Sequence, residues 1–524
     1  MSEAVRPPDL GFAGARVHLV GVGGAGMSAI ARVLRSMGYD VRGSDIRRSH
    51  VITRLESLGI DCRLGHSAEN VADRDVVIYS GAVRPDNVEV EEARRLGLQI
   101  LKRCDALAAL SRLKKTIAVS GTHGKTTTAS MLALVLDEAG LNPAFMVGAE
   151  LNEVGTNSRW TDGEWLVIEA DESDGTFLHL STTIAVVTNV DADHLENWEG
   201  SFEKLLDGFR EFVGKAGWAA VLCEDDYYAK ALADQLEGAE GIYGRSGAAR
   251  PSGTGAGRED RRPPGVIRYG SVNDCEGTSE GTSELYCRLL QAEVSPTGTE
   301  VHIEHRDGAI SKFRLPLLGA HFALNATAVF AVADLLAVDR AATLAALEAF
   351  AGVERRFVYR GSSGGVDVYD DYAHMPAEVA ATLTAARELA SQRGGRLVAI
   401  FQPHLYSRTK RYAREFAAAL ALADKAFVTD VYAAREDPIA GVSGRSIAAL
   451  APEGSEIAYI SSLTECLKSV LEQVSERDTV VFMGAGDITS YCDVFLDLLA
   501  GKAAGLGRSS KTGGAVSQAV KPGS

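Results

Sequence analysis

Nothing in the chain approaches the unbroken stretch of roughly 20 apolar residues that a membrane-spanning helix needs, which argues against a transmembrane protein. The first residues, Met1-Ser2-Glu3-Ala4-Val5-Arg6-Pro7-Pro8, have neither the basic onset nor the apolar stretch of a secretory signal. A cytoplasmic location is therefore expected. Cysteine is sparse, with seven residues (Cys62, Cys104, Cys223, Cys275, Cys287, Cys466 and Cys492) and no Cys-x-x-Cys pair. That pattern argues against structural zinc or a redox dithiol and fits idle thiols in a reducing compartment. Cations are in the minority: 54 Lys and Arg against 70 Asp and Glu give a net charge of −16. Such a field repels nucleic acid and anionic lipid, so neither is expected as a partner, and any phosphate ligand must be held by local geometry.

The remaining composition, 46% hydrophobic and 24% charged, is that of an ordinary globular protein and excludes a disordered, collagenous or coiled-coil chain. At 524 residues the chain has room for about three domains. Short apolar runs alternate with helical patterns, the signature of α/β units with parallel sheets. A first block, 14–112, carries Val17-His18-Leu19-Val20, Val41 to Asp45 and Val76-Val77-Ile78-Tyr79 as strands. A second, 113–353, carries Thr116 to Val119, Trp165 to Ile168 and Ile184 to Val187. Within it, residues 245–284 are rich in Gly, Ser, Thr, Pro and charge and read as a flexible insertion. The third block, 354–500, carries strands at Val366 to Tyr369, Leu397 to Phe401, Ala426 to Thr429 and Thr479 to Met483, with a helix over 377–390. Residues 501–524 read as a disordered tail.

Three stretches carry chemistry. Gly21-Val22-Gly23-Gly24-Ala25-Gly26 follows a strand and opens a helix, where backbone N–H groups can cradle a diphosphate. Asp45 ends the next strand, so a nicotinamide dinucleotide or a nucleotide sugar fits equally well there. Gly121-Thr122-His123-Gly124-Lys125-Thr126-Thr127-Thr128 directly follows the strand ending at Ser120. Here Lys125 can pair with transferring phosphates and the next hydroxyl can ligate Mg²⁺, although the fixed-spacing pattern would need glycine where Val119 stands. Two acidic stretches, Glu169-Ala170-Asp171-Glu172-Ser173-Asp174 and Thr188-Asn189-Val190-Asp191-Ala192-Asp193-His194, each follow a strand and offer hard oxygen ligands.

Over roughly residues 14–500 these stretches, with Asp370-Asp371-Tyr372-Ala373-His374 and Phe401-Gln402-Pro403-His404-Leu405-Tyr406-Ser407-Arg408-Thr409, resemble the Mur ligases. These are ATP-dependent amide-bond-forming enzymes of peptidoglycan precursor synthesis. The resemblance implies a Rossmann-like UDP-binding domain, a central P-loop ATPase-like domain and a C-terminal Rossmann-like domain. It implies that UDP-N-acetylmuramate is joined to L-alanine through an acyl phosphate, with ATP and Mg²⁺. Gly21, Gly23, Gly24, Ala25, Gly26, Met27, Ser28, Ser44, Asp45 and Ser80 would hold the UDP-sugar. Gly121, Thr122, His123, Gly124, Lys125, Thr126 and Thr127 would hold ATP phosphates, with His321, Asn325 and Arg356 around the rest of the nucleotide. Thr126, Glu169 and His194 would ligate metal; Tyr372, His404 and Arg408 would take the amino acid; Lys125, His194, His374 and Arg408 would be catalytic. Phe322 and Met375 depart from the family pattern, in which Asn and a second His are usual. A sister ligase attaching a recycled tripeptide would share most of these motifs. An NAD-dependent oxidoreductase would use only the first glycine stretch.

Overall fold

The computed structural model describes residues 10–11, 16–84, 86–193, 195–243, 265–271, 285–295, 297–352, 357–434 and 436–509. By internal contacts the chain forms two compact units, the first comprising 1–293, 299–316 and 321–354, the second 294–298, 317–320 and 355–524.

The first unit holds two sheets. Strands β1 (Arg16–Val20), β2 (Asp40–Asp45), β3 (Asp61–Leu64), β4 (Val76–Tyr79) and β5 (Gln99–Lys102) are ordered 3-2-1-4-5. All neighbours are parallel, the doubly wound arrangement whose strand order reverses between β1 and β4. Helices α1 (Ala25–Ser36), α2 (His50–Ser57), α3 (Val88–Leu96) and α4 (Arg103–Ser111) connect these strands and lead on from them.

The second sheet is ten-stranded and is built on β6 (Lys115–Ser120), β7 (Ala144–Leu151), β8 (Thr156–Arg159), β9 (Trp165–Glu169) and β10 (Ile184–Val187). It continues through β11 (Ala219–Cys223), β12 (Gly265–Ser271), β13 (Cys287–Ser295), β14 (Gly298–His305) and β15 (Ile310–Leu315). The order is 15-14-13-12-11-10-6-9-7-8, with β8 antiparallel to β7 and β15 antiparallel to β14. Here the 245–284 insertion needs correcting, because Gly265–Ser271 is a strand paired in parallel with β11 and β13. Its residues Arg268, Tyr269 and Gly270 are buried. The rest of that segment lies outside the described residues.

The second unit carries β16 (Val358–Ser363), β17 (Val366–Asp371), β18 (Leu397–Phe401), β19 (Lys425–Val428), β20 (Ile457–Tyr459) and β21 (Thr479–Met483), ordered 16-17-21-18-19-20. Only β16 is antiparallel to its neighbour. The final helix runs Tyr491–Ser509, so residues 501–509 of the expected disordered tail are helical. Leu499 and Phe495 anchor that helix in the core. Residues 510–524 lie outside the described set. Among the described residues six cysteines are free thiols, and no helix is long and apolar enough to cross a membrane.

Two polar arrangements fix the first sheet. Beneath β1 and β2, Glu89 of α3 is fully buried and accepts from Ser44 Oγ (2.6 Å) and Asn70 Nδ2 (2.5 Å). His66 Nδ1 lies 2.9 Å from the same carboxylate and His18 Nε2 3.5 Å. Burial alone would raise the pKa of Glu89, but His18, Ser44 and Asn70 outweigh it and pull it down to about 2. The second arrangement is a seam between α1, α2 and the β7–β8 hairpin. Arg32 Nη1 donates to Thr156 Oγ1 (2.9 Å) and Asn157 Oδ1 (3.0 Å), and Arg54 Nη1 to Glu150 Oε2 (2.5 Å). Asn157 Nδ2 in turn donates to the carbonyl of Ala25 (3.2 Å), so the hairpin is tied to the first residue of α1.

Because the pKa of Glu89 is depressed, its stabilisation is complete above the unfolded carboxyl's titration and fades as pH falls through about 2. Glu89→Ala should cost about 3 kcal/mol at neutral pH, and the deficit should shrink progressively below pH ~4.5. Chemical unfolding of both proteins from pH 7 to pH 2.5 measures this; a pH-independent difference would contradict it.

Candidate active site

The first loop sits at the carboxyl end of β1, in the crevice where the strand order reverses. Gly21 has φ +79°, a conformation that costs glycine nothing. The N–H groups of Gly21 and Val22 donate to the Ser44 carbonyl at 2.8 and 3.0 Å. Gly23 N–H donates to Asp45 Oδ2 at 2.9 Å, while Asp45 Oδ1 accepts from Arg47 N–H at 3.2 Å. Both Asp45 oxygens thus hold backbone. Alternation along β2 turns the Ser44 hydroxyl to the buried Glu89, and the Ser44 carbonyl receives the loop from beneath.

Ser80 directly follows β4 across the crevice, its Oγ 3.4 Å from where a Cβ on Gly21 would lie. Gly24 caps α1 in extended conformation, and Ala25 and Gly26 open its first turn. Met27 and Ser28 turn their side chains into the core. What this loop presents outward is a helix N-terminus with unsatisfied N–H groups, suited to an anion.

The second loop joins β6 to helix α5 (Lys125–Glu138). Gly124 caps α5 at φ +80°, and a Cβ there would lie 2.7 Å from Asn325 Oδ1. Asn325, in the helix Ala320–Leu335, therefore packs on the phosphate loop. Phe322 of that helix is buried, its ring 4.0 Å centroid to centroid from His321. The Lys125 ammonium folds back to the carbonyls of Gly121 (2.6 Å) and Thr122 (3.0 Å) and to Glu172 (2.9 Å). Burial opposes its charge, yet Glu172, Asp171 and Glu169 more than compensate, so its pKa is raised and it stays an ammonium.

The loop is also braced from β10. Asn189 accepts from His123 N–H (2.8 Å) and donates to the His123 carbonyl (3.0 Å), and Thr188 Oγ1 donates to that carbonyl (2.5 Å). Thr122 Oγ1 accepts from Asp191 N–H (2.7 Å). Thr127 is buried, leaving Thr126 as the first outward hydroxyl of α5.

Thr126 Oγ1 donates to Glu169 Oε1 at 3.0 Å, and Gly148 N–H donates to Glu169 Oε2 at 2.6 Å. Hydroxyl and carboxylate converge at one sheet edge beside Lys125. This hard-oxygen pair fits magnesium. His194 and Arg356 lie outside the described residues.

In the second unit, β17 and β18 end side by side with β21 between them, and the sequence-expected side chains gather above them. His374 Nδ1 lies 3.0 Å from the Tyr372 carbonyl and 3.2 Å from Glu378 Oε2. The rings of Tyr372 and His374 are 5.1 Å apart, and those of His374 and His404 6.0 Å. Arg408, 6% exposed, lies 3.5 Å from His404 Nδ1. Leu405 holds φ +70°, a strained value of the kind that concentrates at functional sites. Asp371 accepts from Ala373 N–H at 2.6 Å and fixes the turn; Met375 is core.

Several contributors carry no role in the motifs. Glu172, Thr188 and Asn189 lie inside the two acidic stretches, whose composition marks the segment without assigning these side chains. Tyr432, stacked on His404 at 5.8 Å, belongs to no motif.

The chain matches three family profiles: "Mur ligase family, catalytic domain" over 16–115, "Mur ligase middle domain" over 119–250 and "Mur ligase, glutamate ligase domain" over 355–486. It is 41% identical over 488 residues to a UDP-N-acetylmuramate–L-alanine ligase of Anaeromyxobacter sp. (strain Fw109-5), covering 93% of this chain and 98% of that one. The solved structure of a UDP-N-acetylmuramate-alanine ligase from Thermotoga maritima aligns with a TM-score of 0.70 at 30% identity, over 95% of this chain and all of the other. A murein peptide ligase from Psychrobacter arcticus shares the fold, with a TM-score of 0.63 at 21% identity over 93% and 99% of the two chains.

Asn189 holds both polar groups of the His123 peptide, so Asn189→Ala should loosen the loop without disturbing the core. Nucleotide titration of the variant should give an ATP dissociation constant raised about tenfold. Unchanged affinity would remove Asn189 from the site.

Proposed function

The chain belongs to the Mur ligase family, and from that premise we propose that it forms the amide bond between the lactyl carboxylate of UDP-N-acetylmuramate and L-alanine. ATP becomes ADP and phosphate. The observation that carries this reading is the convergence of Lys125, Thr126 and Glu169 at one sheet edge: an anchored cation beside a hydroxyl–carboxylate pair, behind a backbone loop shaped for phosphates. A nicotinamide oxidoreductase would leave that whole arrangement without work. A tripeptide-recycling ligase could use it, but the murein peptide ligase above is 21% identical, whereas relatives sharing two residues in five over nearly the full chain carry the alanine-adding name.

The chemistry follows from the need to activate a carboxylate in water. A lactyl carboxylate oxygen attacks the γ-phosphorus of ATP, the bond to the bridging oxygen breaks, and ADP leaves. The neutral amine of alanine then attacks the acyl carbon, inorganic phosphate departs, and the amine's proton is lost to give the amide. Two anions must meet in the first step, and the positive charge of Lys125 lowers the cost of their approach. Thr126 and Glu169 would hold one magnesium ion and His194 a second. When bound, these ions would neutralise phosphate charge.

The first glycine loop, Gly21 to Ser28, would seat the UDP diphosphate at the α1 N-terminus, with Ser80 across the crevice. Ser44 and Asp45 would keep the loop in shape. The phosphate loop Gly121 to Thr127 would seat ATP, with Asn325 packed on Gly124; His321 and Arg356 are assigned to the rest of the nucleotide. In the second unit we assign Arg408 to the alanine carboxylate, Tyr372 and His404 to its immediate surroundings, and His374 to the same cluster. We assign domain limits of 14–112, 113–353 and 354–500 to these roles, and a cytoplasmic location, which soluble, nucleotide-activated substrates support.

With ATP, Mg²⁺ and UDP-N-acetylmuramate, ADP release should depend on L-alanine and yield a product heavier by one alanyl residue. Turnover with a tripeptide in place of alanine would replace this reading with the recycling one. Lys125→Ala should abolish ligation while thermal unfolding stays cooperative, and near-normal turnover would remove it from catalysis. Glu169→Ala should raise the Mg²⁺ concentration needed for half-maximal rate by about tenfold or more; a superimposable titration would move the metal elsewhere.

A further inference from the structure

Arg103 opens α4 directly after β5 and belongs to none of the motifs. Its guanidinium faces two ways. Nη2 donates to Asp174 Oδ2 at 2.7 Å and lies 3.5 Å from Asp171 Oδ2, in the acidic loop that follows β9. Nη1 stands 2.8 Å from the point where a Cβ on Gly26 would fall, against the first turn of α1. The missing side chain of Gly26 is thus what admits the guanidinium to the mouth of the first loop. Asp171 also feels the charge of Lys125, so Arg103 lies between the diphosphate loop and the acidic flank of the phosphate loop.

A guanidinium has five donors in a planar fork, and the contacts to Asp174 and Asp171 engage one edge of it. Both aspartates are more than a third exposed, and Arg103 itself is 23% exposed. Exposed carboxylates are solvated once released, so the largely covered guanidinium can exchange them for another oxyanion at modest cost. An incoming oxyanion at this place would gain both the guanidinium and the α1 N-terminus.

We propose that Arg103 is a positioning residue for the acceptor substrate, taking an oxyanion of the nucleotide-sugar acid, its diphosphate or its lactyl carboxylate, in exchange for Asp174. The guanidinium thereby holds the acceptor between the two loops. This rests on the ligase reading above. It makes Arg103 and Asp174 act in opposite directions: the arginine binds the acceptor and the aspartate competes with it.

The test is calorimetric binding of UDP-N-acetylmuramate and of UDP-N-acetylglucosamine, which lacks the carboxylate, to wild type, Arg103→Gln and Asp174→Asn. ATP affinity and thermal unfolding of each protein are measured alongside. Arg103→Gln should weaken acceptor binding about ten- to a hundredfold with ATP affinity changed less than about twofold. Asp174→Asn should tighten acceptor binding several-fold. A loss confined to UDP-N-acetylmuramate identifies the carboxylate as the partner; a loss shared by both ligands identifies the diphosphate. Acceptor affinity unchanged in Arg103→Gln, or weakened alike in both variants, makes the pair a structural clamp and overturns the proposal. Should Arg103→Gln fail to fold, the sign of the Asp174→Asn effect decides alone. Wild type that binds neither UDP-sugar sinks the ligase reading and this proposal together. Wild-type binding with no response to the two substitutions sinks only this one.

Discussion

The burial of one ammonium governs the arrangement of the central sheet's loops. Lys125 is placed at the first position of α5, where the helix dipole is unfavourable to a cation, and most of it is removed from water. It is tolerable there because two loop carbonyls and the nearly fully buried Glu172 surround it. The loop that presents those carbonyls turns at Gly121 (φ +129°) and Gly124 (φ +80°), values that favour glycine.

The same logic extends outward to the neighbouring strands. A loop of turned peptides exposes polar groups that cannot all bond among themselves. Thr188 and Asn189 at the end of β10 meet those of His123, and Asn325 fills the space that a side chain on Gly124 would need. Glu169 ends β9 with its carboxylate already oriented by Gly148 and Thr126. The hairpin that supplies Gly148 also reaches Ala25 through Asn157. The two glycine loops of the first unit are therefore connected through hydrogen-bonded side chains, each anchored on regular structure.

How much of this can be read from the chain depends on whether the cause is local. Strands β4, β10, β18 and β21 appear in the sequence with the same limits as in the structure, because a strand covered on both faces is a continuous apolar run. The β14 strand alternates buried and half-buried residues, a period-two signal that the apolar runs of the three blocks leave aside, whereas β12 is a short run inside a Gly- and Ser-rich segment and does not stand out from loop composition. The phosphate loop is legible because its chemistry is encoded in consecutive residues. The direction of the Ser44 hydroxyl, toward Glu89, depends on the strand's alternation and on a partner 45 residues away, which no local motif encodes. Arg103 and Tyr432 carry no pattern, because only the folding of α4 toward the acidic loop, or of the segment after β19 toward His404, gives them neighbours.

A chain with a surplus of sixteen negative charges that handles anionic ligands needs its cations at chosen points, and cations so placed need partners of their own. Lys125 has Glu172 and Arg103 has Asp174, each partner lying in the single loop after β9. The two pairs differ in burial, and the difference sorts their roles. Glu172 is enclosed, so losing its partner would strand a charge in the interior, and Lys125 is best understood as fixed in place. Asp174 is open to water, which can solvate it once released, so Arg103 can change partners. One acidic loop can thus hold one cation rigidly for phosphate chemistry and lend the other to a substrate, with solvent exposure deciding which.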